Sequence, residues 1–134
     1  MTESEVVFDA DHSIFNVNIS AQSKTIILKI SEDIDAAYEL LESSYQKKIA
    51  DFINASGGWF PVAVNAIRKD VSNIDGLELT TVFVLSEQNS NESVFGLLFE
   101  LDADEEHGRG LMMSGEDFHI IKYGDASVAF EGVD

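Results

Sequence analysis

A chain of 134 residues, 45% of them hydrophobic and with nine Phe and one Pro, has room for one ordinary domain over 1–134 and enough apolar material to fill its core. Its 25 Asp and Glu against 8 Lys and Arg leave a formal net charge of −17, which excludes direct binding to nucleic-acid phosphates and disfavours an anionic membrane surface. The absence of Cys excludes disulfides, thiolate zinc sites and cysteine nucleophiles.

Taken in chain order, Val6-Val7-Phe8 is a short apolar segment, and Ile14, Val17 and Ile19 follow among the polar Asn16, Asn18 and Ser20, which predicts strands. Residues 24–30 are β-branched and predict a strand that hands the chain through Ser31-Glu32-Asp33 to a helix N-terminus, where acids suit the dipole. Ile34, Tyr38, Leu41, Tyr45, Ile49 and Phe52 recur at helical steps and predict one helix with a continuous apolar stripe. Gly57-Gly58 is the expected stop. Pro61 then fits the first turn of a second, shorter helix carried by Val64, Ile67 and Val71 and ending near Asn73. The lone Trp59 is expected to plug the join between this helix pair and the sheet.

After Asp75-Gly76 the periodicity changes. Residues 77–85 and 93–101 read as two long strands joined by a polar loop, and 110–113 and 118–123 flank the turn Ser114-Gly115-Glu116-Asp117. Residues 126–130 read as a last short strand or edge segment. The fold class expected is α+β, an antiparallel meander with a two-helix hairpin packed on one face. The longest strongly apolar run, 94–99, is far below the roughly 20 residues of a membrane span, and the acidic start lacks the features of a signal peptide, so a cytoplasmic protein is expected.

Charge is uneven along the chain: residues 1–74 hold eleven acids and six bases, residues 75–134 fourteen acids and two. The densest point is Glu100, Asp102, Asp104, Glu105 and Glu106, with only Arg109 near to answer it. So many like charges cannot be buried and must face solvent, a metal or a basic partner. The metal alternative is weak, because an EF-hand counted from Asp102 would want glycine and glutamate where His107 and Met113 stand. A bulged connection built on Gly108 and Gly110 at positive φ, steadied by His107, accounts for the same residues. His107 beside Glu106 could serve acid–base chemistry, but nothing identifies a nucleophile, phosphate cradle or oxyanion hole. His12 and His119 are isolated. No catalytic residue, metal or cofactor is expected.

The string Asp104-Glu105-Glu106-His107-Gly108-Arg109-Gly110, followed by an apolar strand and 118–126, resembles small bacterial proteins with an Asp-Glu-Glu-His-Gly-x-Gly motif. That family is associated with immunity genes of polymorphic and contact-dependent toxin systems. The resemblance covers the last third of the chain and implies a non-enzymatic protein that neutralises a cognate toxin made by the same cell. Charge points the same way, since nuclease toxins carry basic surfaces that an acidic protein can cover. The expected contact residues are Glu100, Asp102, Asp104, Glu105, Glu106, Glu116 and Asp117, with His107, Gly108 and Gly110 as structural motif. The partner expected is a basic toxin domain, met by a monomer or weak dimer that binds neither nucleic acid nor membrane. A DNA-mimicking anti-restriction protein and a small enzyme or ligand-binding domain are the alternatives.

Overall fold

The structure, a computed structural model, describes residues 14–19, 21–22, 25–104 and 106–131; Val6-Val7-Phe8, His12 and Glu105 lie outside the described residues. The architecture is α+β. Among the described residues six strands, β1 (Ile14–Val17), β2 (Ile26–Ile30), β3 (Glu78–Val84), β4 (Val94–Glu100), β5 (Arg109–Ser114) and β6 (Ile120–Gly124), lie side by side in sequence order. The sheet is mostly antiparallel, but β2 and β3 run parallel, with Leu28 opposite Val82. This corrects the all-antiparallel meander. A helical segment separates the two strands and returns the chain to the end where β2 began, whereas a tight turn would have reversed it.

Strand alternation sets the core. Ile26, Leu28 and Ile30 of β2 are buried while Ile27 between them is exposed. Across the sheet Leu28, Val82, Leu97 and Leu111 form one registered row, and Ile30, Val84, Phe95 and Met113 the next. All eight side chains belong to one buried cluster, joined by Ile49 and Ile53 from the first helix and Ala63 and Ile67 from the second.

The helices depart from the periodicity in three ways. The stripe from Ile34 to Phe52 is not one helix: 35–38 form a 3-10 turn, and α1 begins only at Ser43 and ends at Asn54. Gly57-Gly58 does not stop it, because the second helix, α2, starts at Ser56 and contains both glycines and Pro61, running to Asp70. Ala55 alone joins the two, too short for the loops of about two to five residues that make a helical hairpin. The joint is a bend: in a straight helix residues seven apart would be about 10.5 Å apart along the axis. Here the Trp59 indole N–H donates to the Phe52 carbonyl at 2.6 Å, and the two rings stack at 4.7 Å. Trp59 is fully buried, in the plug position its sequence context predicts. Phe52 also stacks on Phe95 of β4 with centroids 3.9 Å apart, and Phe60 of α2 meets Phe99 of the same strand.

Residues 126–129 are not a strand either. They form a 3-10 turn, capped by the Asp125 carboxylate accepting from the Ser127 N–H at 3.0 Å. The turn sits against the strands where side chains are missing: a Cβ on Gly96 would fall 1.8 Å from the Ala129 carbonyl, and one on Gly110 2.5 Å from that of Asp125. Val128 fills the gap between them with Leu85, Val94 and Met112.

Candidate functional site

The 102–110 connection is built from its backbone outward. Gly108 holds φ +63 and lies so close to β4 that a Cβ would be 2.6 Å from the Phe99 carbonyl, so only glycine fits. Gly110 is not at positive φ, which corrects the expectation for it; its requirement is the close approach of the 126–129 turn. The His107 carbonyl accepts from the Ala126 N–H at 3.0 Å, tying connection to turn. The His107 ring is largely exposed and its Nδ1 lies 3.1 Å from Asp104 Oδ1.

Arg109 answers the carboxylates from within the fold. Its guanidinium bonds to Asp104, donates to Asp70 at the end of α2 at 2.8 Å, and reaches the Gly108 carbonyl at 2.7 Å. The Tyr123 hydroxyl of β6 donates to the same Asp70 oxygen at 2.8 Å. These bonds, that of Tyr123 foremost, hold the Asp70 carboxyl below its ordinary range, and the Arg109 guanidinium does the same for Asp104. Burial pushes the Tyr123 phenol up to about 12, and its bond to Asp70 adds to the shift. The group is a latch that fastens α2 to β5 and β6.

The other predicted contact acids fall into two places. Glu100, Asp102 and Glu106 are exposed near the end of β4 and start of β5, with Asp102 anchored through its N–H on the Asp75 carbonyl at 3.0 Å. Glu105 lies outside the described residues. Glu116 and Asp117 sit in the β5–β6 turn, where both Glu116 oxygens accept from the Ser93 N–H at 3.1 and 3.2 Å. Asp117 accepts from the His119 N–H at 3.2 Å and bonds its ring, which lowers the Asp117 pKa. Because β5 runs from one group to the other, they occupy opposite ends of the sheet, separated by its six residues or about 20 Å. Sequence proximity grouped them; the strand between them parts them.

At the Glu116 end the fold assembles a second acidic surface that local density does not reveal. The segment 31–42 after β2, the loop 85–93 after β3 and the β5–β6 turn all meet there, because parallel β2 and β3 finish at the same end. Asp35, Glu39, Glu42 and Glu87 line a cleft of about 530 Å³ together with Leu40, Gln88 and Asn89. Glu87 accepts the N–H groups of Asp35 and Ala36 at 2.9 and 3.0 Å, and Gln88 accepts that of Glu42 at 2.8 Å. These side chains cap the backbone where the predicted helix breaks, which explains the late start of α1. At Ser86, the chain neighbour of Glu87, the carbonyl accepts from the buried Tyr45 hydroxyl at 2.8 Å. Burial first, then the charges of Glu87 and Glu39, raises the Tyr45 pKa.

Among the described residues no group of three or more His, Asp or Glu is placed to hold a metal ion, and no helix is long and apolar enough to cross a membrane. No family model matches the chain, and no curated protein or solved structure does.

Proposed function

We propose that the chain is an immunity protein: it binds a cognate bacterial toxin, of nuclease type, and neutralises it by covering a basic surface with its acidic one. One observation carries the reading. In a chain of net charge −17, exposed carboxylates stand at both ends of the sheet, Glu100, Asp102 and Glu106 at one and Glu39, Glu42, Glu116 and Asp117 at the other, while Asp104, Gly108 and Arg109 of the Asp-Glu-Glu-His-Gly-x-Gly string are occupied with folding tasks. Inhibition by occlusion needs no chemistry of its own, only complementary potential and a rigid support. In this reading both helices back one face of the sheet, an arrangement favoured by Phe52 on Phe95 and Phe60 on Phe99, and stiffen it. It acts in the cytoplasm of the toxin-producing cell, as a monomer or weak dimer.

The test is affinity capture of the tagged chain from the source bacterium at low and moderate salt, with mass spectrometry of what remains bound. The expected result is one stoichiometric basic protein whose expression alone arrests growth and whose arrest is relieved by this chain. A set of unrelated nucleic-acid-binding proteins, all lost together as salt rises, would replace the reading by nucleic-acid mimicry. No retained protein, or one whose expression is harmless, would overturn it.

A further inference from the structure

Leu40 and Tyr38 are the most exposed large hydrophobic side chains among the described residues, 79% and 76% accessible where the others reach only 37–46%. Their exposure does not come from a loose loop. Ala36 is buried, and Ile34, Ala37 and Leu41 pack against the main core, so the segment alternates between anchoring and outward-facing side chains. Glu87 holds its beginning by two backbone bonds. Gln88 holds its end, accepting from Glu42 and donating to the Leu40 carbonyl at 3.2 Å and to Glu39 at 3.1 Å. The Tyr38 hydroxyl donates back to the Glu32 carbonyl at 3.0 Å. Two loop side chains are thus committed to fixing a short stretch that shows a leucine and a tyrosine to water.

A single exposed leucine needs no explanation, but a fixed apolar pair beside a charged cleft has the make-up of an interface centre with a polar rim. Asp35, Glu39, Glu42 and Glu87 line that cleft and no basic side chain does. The occupant it suits is a long cationic side chain with an apolar neighbour. We infer that the 35–42 segment and its cleft form the contact surface for a basic protein partner, which inserts an Arg or Lys between Glu39, Glu42 and Glu87 and receives Leu40 and Tyr38 in an apolar depression. The inference rests on the immunity reading and deepens it: the contact lies at the carboxyl ends of β2 and β3, not at 100–106.

Two measurements test it. First, Leu40→p-benzoylphenylalanine is photolysed in the source cell, and the cross-linked product is identified. The expected product is a basic protein joined through position 40. A cross-link to a second copy, to another part of the same chain or to no protein would overturn the inference. Second, that protein is re-expressed and its affinity measured against two surface variants whose melting matches the parent. Tyr38→Ser with Leu40→Ser should weaken binding about 30-fold or more, chiefly through faster dissociation. Glu39→Gln with Glu42→Gln should slow association and flatten its salt dependence. Loss confined to Glu100→Gln, Asp102→Asn and Glu106→Gln would move the contact to the opposite end, defeating the inference and leaving the immunity reading intact. A captured basic protein that proves harmless to the cell would defeat that reading instead.

Discussion

Arg109 is the one base among the acids that follow β4, and the fold uses it internally, between Asp104 and Asp70. A carboxyl whose folded pKa is depressed contributes stability that is complete above its unfolded value, about 4, and is lost as pH falls through the depressed value. Asp70 and Asp104 are both of this kind. Arg109→Met is therefore expected to melt a few degrees below the parent from pH 5 to 8, with the gap closing as pH falls towards 2. A gap that stays constant across that range in melts followed by circular dichroism would show that Arg109 acts by packing alone. Tyr123 acts on the opposite limb: its pKa, raised to about 12, makes a contribution that is complete below its unfolded value near 10 and lost as pH rises towards 12. The string in 104–110 was legible as a special connection, and Gly108 at φ +63 agrees. The latch was not legible, because Asp70 and Tyr123 are far from Arg109 in the chain and carry no local mark.

Elements were legible where one periodicity governed them. Residues 77–85 and 93–101 contain β3 and β4 nearly to their ends, because β-branched and aromatic alternation has no competing local reading. The helices failed where tertiary partners overrode periodicity. Glu87 and Gln88 satisfy backbone groups at 35–42 that a helix would otherwise satisfy itself, and the Phe52–Trp59 stack sets the bend at Ala55 instead of at the glycines. Residues 126–129 failed as a strand for a similar reason, since their seat is a gap between Gly96 and Gly110 on two other elements. That seat gives a matched prediction. Gly96→Ala puts a Cβ against the Ala129 carbonyl and should cost about 1–3 kcal/mol as the turn is forced off the sheet. Gly57→Ala, inside α2 with nothing within 4 Å of the new methyl, should stabilise by about 0.5–1 kcal/mol. Urea unfolding of the two variants checks both signs, and equal effects would remove the seat from the account.

At the scale of the molecule, the chain carries a net charge of −17, and exposed acids stand at both ends of the sheet. Like charges held in a folded volume repel, so the chain should gain stability from screening. Raising NaCl from about 10 mM to 300 mM shortens the screening length from about 30 Å to below 8 Å and should raise the melting temperature by several degrees. A flat or falling melting temperature would mean that the ion pairs lost to screening outweigh the repulsion relieved. Composition and short-range periodicity determined the α+β class, the acidic character and the exclusion of thiol chemistry, because these follow from counts and local pattern. The tertiary structure decided which acids stand together. Asp35 and Glu87, 52 positions apart, meet beside Glu39 and Glu42 only because β2 and β3 run parallel, whereas Glu106 and Glu116, ten positions apart, are separated by the length of β5. Neighbourhood on a sheet is set by strand direction and register, which no local window of sequence contains.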